Sequence, residues 1–311
     1  MNICMVNWRC PRNSKSGGAE ISSLETLSRF VNDGHKVTWF SAYERGLSPE
    51  EVVDKIHYVR RGNALTVRFW FIWYIIFRQR NYDVIVEQIN TIPFFCSFYV
   101  QVPVVLYMHQ IARELWFYQS PYPIAIIGYL LEYVFIWMQR NLPVIVVSKS
   151  TKDSLHAYGH QGAIYVVPNG TTNIDRISTI DETKKVHEPV SLLIVGRLVP
   201  HKRVADAVTA LKTLRSMGHD HVLHIVGGGT NSQLKQLRKF INTSNVQDSV
   251  YIHGKVSSSR LHQLYEHADI ILSTSVREGW GLTITEANTY GIPSVVYPVA
   301  GLIDSTIHGC N

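Results

Sequence analysis

The sequence has 311 residues, of which 46% are hydrophobic and 17% are charged, and its formal net charge is +6. This length predicts about two domains, each with enough apolar residues for a buried core. The positive charge favours anionic partners such as phosphates or an anionic membrane surface. Nucleic acid is disfavoured, because the charge is modest and basic and aromatic residues do not interleave outside the apolar helices.

The cysteines and the apolar segments indicate where the chain resides. Cys4, Cys10, Cys96 and Cys310 form no CxxC pair and have no metal-like spacing, so we interpret them as free thiols in a reducing compartment. The first residues lack a charged segment followed by a long apolar one, and no stretch reaches about 18 uninterrupted apolar residues. We expect no signal peptide and no membrane-spanning helix, which favours the cytoplasm, with peripheral attachment to the inner face of the plasma membrane as an option.

In the first half, short apolar segments alternate with longer segments of helical composition. Strands are predicted at residues 3–6, 37–40, 56–59, 84–86, 104–107, 144–147 and 165–167, and helices at 21–33, 65–80, 124–140 and 149–158. Strands rich in Val and Ile that alternate with helices are typical of a parallel sheet covered on both faces.

Two of these helical segments, residues 65–77 and 123–138, are unusually rich in aromatic residues. The basic residues that flank them are Arg68, Arg78, Arg80 and Arg140. One interpretation buries both helices against the sheet. The other places them at a membrane surface, where the arginines approach anionic headgroups.

Two motifs of the first half follow predicted strands. The segment SGGAE places Gly17 and Gly18 before a helix, where a ligand can approach the backbone closely. His109 follows the strand at 104–107. Taken singly, a plain turn and a structural or solvated histidine explain these residues as well.

The second half repeats the alternation after a polar stretch at residues 178–188. Strands are predicted at 192–195, 223–226, 250–252, 270–272 and 294–297, and helices at 204–217, 232–243, 258–268 and 282–290. We therefore predict an N-terminal domain at 1–180, a linker at 181–189 and a C-terminal domain at 190–311. Ligands of such doubly wound sheets bind at the carboxyl ends of the strands.

Charged residues follow the strands of the second half. Arg197 and Lys202 come after its first strand, where two cations can neutralise a diphosphate. Glu278 lies in a glycine turn, and Glu286 lies about two turns into the helix that follows. Free N–H groups of the turn suit phosphate, and the carboxylates can accept hydrogen bonds from sugar hydroxyls. The alternative is a solvated basic loop and two solvated acids.

Taken together and in order, the motifs resemble glycosyltransferase family 4. They are SGGAE, the strand-end His109, VPNG, VGRLVPHK, IVGGG, HGKVSSSRLHQLYEHADIILSTS and EGWGLTITEANTYGIPSVV. Members are retaining transferases of the GT-B fold that use nucleotide sugars. The resemblance implies an α/β chain with two doubly wound, Rossmann-like domains facing each other across a cleft. Because the family continues the motif in which Asn311 ends the chain, the second domain is expected to be C-terminally incomplete.

The resemblance also implies roles for individual residues. Arg197 and Lys202 match residues that bind the donor diphosphate, Glu278 the residue that contacts the transferred sugar, and Glu286 the residue that binds the ribose. With His109, which matches a histidine near the reacting sugar, Arg197, Lys202 and Glu278 are the catalytic candidates. The backbone segments implied in donor binding are Gly17 and Gly18 for phosphate, Gly254, Lys255 and Val256 for the base, and Gly279, Trp280, Gly281 and Leu282 for sugar and phosphates. Arg203 departs from the family, in which glycine is common at this position.

The predicted function is transfer of a hexosyl group from a nucleotide sugar to a hydroxyl of a glycan, a lipid-linked acceptor or a lipid. The resemblance implies front-side displacement with retention, without a metal ion and without a cofactor besides the nucleotide sugar. The alternatives are a truncated or inactive subunit that binds a sugar nucleotide, and a sugar-nucleotide epimerase. A dehydrogenase would need G-x-G-x-x-G after the first strand, which the sequence lacks.

Overall fold

The computed structural model describes residues 1–171 and 186–309. The chain forms two compact units: unit 1 comprises Met1–Arg113 and Ile127–Asn169, and unit 2 comprises Glu114–Ile126 and Gly170–Asn311. Residues 114–126 thus group with unit 2, although the sequence on both sides of them belongs to unit 1. The domain limits predicted from sequence stay a prediction, because most of the linker at 181–189 lies outside the described residues.

Unit 1 contains an eight-stranded sheet in the order β3-β4-β2-β1-β5-β6-β7-β8. The strands are β1 (Asn2–Val6), β2 (Lys36–Ser41), β3 (Glu50–Val53), β4 (Ile56–Arg60), β5 (Val84–Ile89), β6 (Val104–Met108), β7 (Val144–Val146) and β8 (Ile164–Val166). All neighbours are parallel except β3 and β4. Strand β3 was not predicted, because its residues EEVV do not alternate between polar and apolar. Asp54 and Lys55, both at positive φ, form the tight turn to β4.

Five α-helices alternate with these strands in the described residues before β9 (Val190–Val195). They are α1 (Gly18–Asn32), α2 (Val67–Ile76), α3 (Leu115–Gln119), α4 (Tyr122–Met138) and α5 (Lys149–Ala157). One of them, α3, groups with unit 2. Val67, Phe71 and Ile75 recur every four residues of α2 and are buried in the core of unit 1. Helix α3 was not predicted, because five residues are too few to show a helical period in the sequence.

Unit 2 contains a five-stranded parallel sheet in the order β11-β10-β9-β12-β13. Its strands are β9 (Val190–Val195), β10 (His221–Val226), β11 (Val250–Gly254), β12 (Ile270–Ser273) and β13 (Ser294–Val296). Its helices are α6 (Val204–Ser216), α7 (Asn231–Thr243), α8 (Ser258–Glu266), α9 (Leu282–Asn288) and α10 (Leu302–Ser305). The four-residue α10 was also missed.

All strands and helices predicted from the sequence are present, with ends that differ by a few residues. The two α/β units confirm the doubly wound architecture. Cys4, Cys10 and Cys96 are buried free thiols, and Cys310 lies outside the described residues. In the part of the chain that the structure describes, no helix is long and apolar enough to span a bilayer.

A close backbone approach joins β9 and β10 at their carboxyl ends. Gly227 has a φ of +142°, and a Cβ atom there would lie 1.8 Å from the carbonyl oxygen of Gly196. At Gly228 the nearest atom to an added Cβ would be the Lys255 Cβ at 3.9 Å. Only the first position therefore requires glycine.

We predict that Gly227→Ala lowers the free energy of unfolding by at least about 2 kcal/mol, because the methyl group meets backbone and the φ is unfavourable. Gly228→Ala is the matched control and should change stability by less than about 0.5 kcal/mol. Urea denaturation followed by circular dichroism measures both. Equal effects of the two substitutions would contradict the close approach.

Candidate functional site

The predicted donor residues of unit 2 follow the carboxyl ends of its parallel strands. Arg197 comes two residues after β9, and Lys202 ends a 3-10 turn, Pro200–Lys202. Glu278 follows β12, and Glu286 lies on α9. Arg197 is exposed, whereas Lys202, Glu278 and Glu286 are half-buried.

The structure brings Lys202 and Glu278 into direct contact. The Lys202 Nζ donates a hydrogen bond to the Glu278 Oε1, and the Ser275 Oγ donates to the same oxygen at 2.6 Å. Burial raises the pKa of Glu278, but the charge of Lys202 and these two hydrogen bonds outweigh burial and lower it. Glu278 is therefore ionised at neutral pH, and its Oε2 has no hydrogen-bond partner among the described residues.

The segment that follows β12 also holds the backbone of the lysine turn. The Thr274 Oγ1 donates to the carbonyl oxygens of Lys202 at 2.8 Å and of Arg203 at 3.0 Å. The Val276 N–H donates to the His201 carbonyl at 2.9 Å. Thr274 and Ser275 were not predicted from the sequence, in which their only signal is the position directly after a strand.

Arg203 occupies the left-handed conformation that glycine favours, with a φ of +48°. A non-glycine residue there costs on the order of 1 kcal/mol. Its guanidinium pairs with Asp206 at 2.7 Å and lies 5.5 Å from the centre of the Tyr297 ring. These contacts stabilise the same backbone conformation, so the departure from the family at this position leaves the lysine turn intact.

The glycine turn after Glu278 packs against a second loop. Gly281 precedes α9 with a φ of +96°, and an added Cβ would lie 2.8 Å from the Leu302 Cδ2. The Glu278 N–H donates to the Ala300 carbonyl at 3.1 Å. A Cβ on Gly301 would lie 2.2 Å from the Glu278 carbonyl oxygen, so this glycine, which the sequence analysis missed, is required for the approach.

Within the same turn, the Trp280 Nε1 donates to the Thr285 Oγ1 at 2.9 Å, which fixes the indole against the first turn of α9. Leu282 is the first residue of that helix and is half-buried. Gly279 lies between Glu278 and Trp280 in the turn itself. The structure thus gathers the four predicted backbone positions around one helix start.

Glu286 is held by a tyrosine on the neighbouring helix. The Tyr265 hydroxyl donates to the Glu286 Oε2 at 2.8 Å, and the Tyr265 ring stacks on Tyr290 with centres 5.1 Å apart. Burial raises the pKa of Glu286, and this effect is larger than that of the hydrogen bond from Tyr265, which lowers the pKa. The Glu286 Oε1 accepts no hydrogen bond from a described residue and is available to a ligand.

Gly254, Lys255 and Val256 follow the edge strand β11. Gly254 has a φ of +67°, and its carbonyl accepts a hydrogen bond of 2.8 Å from the Gly227 N–H. Lys255 is exposed, and Val256 packs on the apolar cluster beneath α8 and α9. Two strands separate this segment from the end of β12, so the structure does not bring it into contact with Glu278.

In unit 1, the glycines of SGGAE start α1. The Gly17 N–H donates to the Glu20 Oε2 at 2.8 Å, and Gly18 is the first residue of the helix. Glu20 is buried; its Oε1 pairs with the Arg9 Nη2 at 3.2 Å and accepts from the Asn90 amide at 3.1 Å. This polar network at the ends of β1 and β5 was missed, because only the glycines of the motif were singled out.

His109 directly follows β6 and is buried. Burial lowers its pKa to about 4, so the imidazole is neutral at neutral pH. The ring lies 4.7 Å from the Tyr107 ring, and the backbone carbonyl accepts from the Thr151 Oγ1 at 3.3 Å. The His109 Nε2 is buried without a hydrogen-bond partner among the described residues.

A carboxylate on α4 holds the loop that follows His109. The Glu132 Oε1 and Oε2 accept the backbone N–H groups of Ala112 at 2.6 Å and of Arg113 at 2.7 Å. Glu132 is itself buried, so these charge-assisted bonds fix the loop firmly to α4. Glu132 was not predicted as a functional residue, although it is the only acidic residue in the sequence of the apolar helix α4. Across residues 1–171 and 186–309, no group of three or more His, Cys, Asp or Glu residues is arranged to hold a metal ion.

The two parallel-sheet units identify the fold as GT-B, the fold of many glycosyltransferases. Sucrose-phosphate synthase from Thermosynechococcus elongatus superposes with a TM-score of 0.77 at 17% identity, over 97% of this chain and 82% of that one. Anabaena Alr3699/HepE in complex with UDP-glucose gives a TM-score of 0.73 at 19% identity, over 99% and 84% of the two chains.

Sequence profiles agree with the fold. The profile described as "Glycosyltransferase Family 4" matches residues 16–172, and the profile described as "Glycosyl transferases group 1" matches residues 175–311. The chain belongs to glycosyltransferase family 4. The names of two of its curated relatives include a sugar nucleotide, which is UDP-N-acetylglucosamine in one and GDP-mannose in the other.

One curated relative is the GDP-mannose-dependent alpha-(1-6)-phosphatidylinositol monomannoside mannosyltransferase of Mycobacterium tuberculosis. It is 27% identical over 180 residues, which cover 53% of this chain and 46% of the relative. The matched stretches span between 26% and 46% of the first three curated relatives, less than half of each.

Two buried histidines should make the stability of the protein depend on pH. Burial lowers the pKa of both His109 and His201 to about 4, from an unfolded value of about 6.5. Above pH 6.5 both states are neutral and the full stability is present. Between pH 6.5 and 4 the unfolded state binds protons that the folded state does not, so stability falls by up to about 1.4 kcal/mol per pH unit for each histidine.

We predict that His109→Gln and His201→Gln each reduce this pH dependence relative to the wild type. Urea denaturation at pH 7, 6 and 5 measures the slope, and the difference between variant and wild type isolates one histidine from the titrating carboxylates. An unchanged slope in both variants would show that neither imidazole is buried as described.

Proposed function

We propose that the chain is a retaining glycosyltransferase that moves a hexosyl group from a nucleoside diphosphate sugar to an acceptor hydroxyl. The observation that carries the proposal is the contact of Lys202 and Ser275 with one oxygen of Glu278, which leaves the other oxygen for a ligand. A cation for a diphosphate and a carboxylate for sugar hydroxyls are thus adjacent, as the donor requires.

Each residue of the donor site has a distinct task in this proposal. Arg197 and Lys202 stabilise the negative charge that develops on the leaving nucleoside diphosphate. Glu278 orients the transferred sugar through its Oε2, and Glu286 binds the ribose through its Oε1. The backbone groups of residues 279–282 bind sugar and phosphates, and residues 254–256 contact the base.

The residues of unit 1 complete the assignment. Gly17 and Gly18 contribute backbone to the donor phosphates, and His109 acts near the reacting sugar. The neutral imidazole of His109, with a buried Nε2 that no described residue binds, can donate or accept one hydrogen bond without carrying charge.

The proposed reaction is a front-side displacement. The bond between the anomeric carbon and the phosphate oxygen breaks while the acceptor oxygen bonds to the same face, and the acceptor proton moves to the leaving phosphate. In this proposal neither Glu278 nor Glu286 is a nucleophile, because the second oxygen of each carboxylate binds a hydroxyl of the transferred sugar or of the ribose. The protein contributes position and charge, with no metal ion in the chemistry.

Experiments can identify which nucleotide base the donor carries and which class of acceptor the protein uses. A relative uses GDP-mannose and a structural neighbour binds UDP-glucose, so a thermal-shift screen should compare UDP-, GDP- and ADP-sugars. The acceptor classes are a glycan, a lipid-linked acceptor and a lipid. The phosphatidylinositol acceptor in the name of the mycobacterial relative favours the last two, with an anionic membrane surface as a further partner.

We predict that Arg197→Ala and Lys202→Ala each weaken donor use without unfolding the protein. Loss of a charge-assisted contact with phosphate costs about 1.5–3 kcal/mol, or roughly ten- to a hundredfold in kcat/KM. Lys212→Ala, which removes an exposed cation of α6, is the matched control. Wild-type kinetics in both site variants, at unchanged melting temperature, would remove the diphosphate assignment.

We predict that Glu278→Gln and Glu286→Gln affect different steps, the first catalysis and the second nucleotide binding. Glu278→Gln should lower kcat, because the carboxylate contacts the group being transferred. Glu286→Gln should mainly weaken the affinity for free nucleoside diphosphate, because the ribose contact is alike in ground and transition states.

Isothermal titration calorimetry with the nucleoside diphosphate and steady-state kinetics separate the two effects. Asp248→Asn, an exposed amide substitution in unit 2, is the control. Equal affinity of wild type and Glu286→Gln for the nucleoside diphosphate would disprove the ribose role.

A further inference from the structure

The outward faces of α2 and α4 carry large apolar side chains that the sheet leaves uncovered. On α2, Phe69 and Trp73 are exposed, with Trp73 at 65%, and so is Phe77, which directly follows the helix. On the part of α4 within unit 1, Leu130, Val134 and Trp137 are exposed, with Trp137 at 50%. Both helices pack against the core of unit 1 through their inward stripes, as the first interpretation from sequence has it, and their outward faces are exposed.

One loop, residues 92–98, contacts both helices. The Arg68 guanidinium of α2 donates to the Ile92 carbonyl at 2.7 Å and to the Pro93 carbonyl at 3.1 Å, and the Phe95 ring packs on Phe135 of α4 with centres 5.4 Å apart. Phe98 of the same loop is itself exposed. We call the exposed residues of α2, this loop and residues 127–138 of α4 the aromatic face.

Basic residues outnumber acids around the aromatic face. Residues 65–82 and 92–101 contain no Asp or Glu, and the only acid at 127–141 is the buried Glu132. The exposed Asp83, which follows the first of these segments, accepts a hydrogen bond of 2.6 Å from the Asn2 N–H. Arg78 and Arg80 follow α2, and Arg140 follows α4. Because α2 leads into β5 and α4 leads, through a short turn, into the parallel strand β7, these arginines lie at the same edge of unit 1.

We infer that the aromatic face docks on an anionic lipid bilayer. Exposed Trp, Tyr and Phe side chains are suited to the interfacial layer, and a rim of three arginines with a single exposed acid, Asp83, is complementary to anionic headgroups. A second copy of the chain fits less well. Two such faces in contact would bring six arginines into one interface with only the two copies of Asp83 to neutralise them.

Docking would also fix the loop that follows His109. Glu132 projects inward from α4 and accepts the N–H groups of Ala112 and Arg113, so the helix that lies on the bilayer holds this loop directly. This consequence, which rests on the proposed function, favours an acceptor hydroxyl carried by a membrane lipid. The docking itself does not depend on catalysis.

Co-sedimentation with vesicles, without any nucleotide sugar, tests the docking. Wild type should sediment with vesicles of phosphatidylglycerol and phosphatidylcholine at low salt, less at high salt, and little with phosphatidylcholine alone. Trp73→Ser with Trp137→Ser, and separately Arg78→Glu with Arg80→Glu, should each reduce binding at least about tenfold at unchanged melting temperature.

The controls are substitutions in unit 2 that are matched in chemistry and exposure. Met217→Ser with Val295→Ser removes side chains that are 67% and 60% exposed, and Lys235→Glu with Lys239→Glu reverses two exposed charges of α7. Both should sediment like the wild type. Nucleoside diphosphate affinity should be unchanged in all four variants, which separates failure of docking from failure of the donor site.

Three results would overturn the inference. The first is no sedimentation of the wild type with anionic vesicles at low salt. The second is equal binding to vesicles of phosphatidylcholine alone. The third is a dimer in sedimentation velocity without lipid that Trp73→Ser with Trp137→Ser dissociates, since a second copy would then cover the face.

Discussion

The contact between Lys202 and Glu278 joins the two segments on which the donor site of unit 2 depends. One segment follows β9 and the other follows β12, and these strands are neighbours in the sheet. Without a ligand, the pair neutralises two half-buried charges that would otherwise be costly to desolvate. The Lys202 ammonium group has further N–H donors besides the one that bonds to Glu278, and a diphosphate can accept hydrogen bonds from them. The contact therefore holds the cation and the carboxylate next to each other before the donor binds.

Two carboxylates of the site, Glu278 and Glu286, are each held through one oxygen atom. Glu278 gives one oxygen to Lys202 and Ser275, and Glu286 gives one oxygen to Tyr265. In each case the second oxygen has no partner among the described residues. A carboxylate fixed through one oxygen loses little rotamer entropy when its other oxygen binds a hydroxyl, which is the benefit of preorganisation.

Much of the fold and part of the site could be predicted from the sequence. The alternation of helices with strands rich in Val and Ile predicted the two units. The charged residues that follow strands predicted Lys202 and Glu278 as site residues. The residues that position them were out of reach: Thr274, Tyr265 and Glu132 act through contacts that only the folded chain makes. The short α3, the acidic edge strand β3 and the loop glycine Gly301 carry no periodic signal.

The aromatic helices show a different limit of sequence patterns. A helix that is apolar on every side fits a buried core and a membrane surface equally well, because its composition does not say what covers it. In α2 the buried stripe of Val67, Phe71 and Ile75 faces the core, and the opposite side has no covering element among the described residues. The difference in burial between the two sides of α2 arises because the sheet covers only one side of the helix, and the sequence of the helix does not reveal it.

The most direct test of the donor site is a crystal structure of the chain with a bound nucleoside diphosphate. The account predicts that the diphosphate contacts Arg197 and Lys202 and that the ribose hydroxyls bind the Glu286 Oε1, while Tyr265 keeps the Oε2. A nucleotide bound elsewhere, with the contact between Lys202 and Glu278 undisturbed and Glu286 bonded to Tyr265 alone, would contradict it.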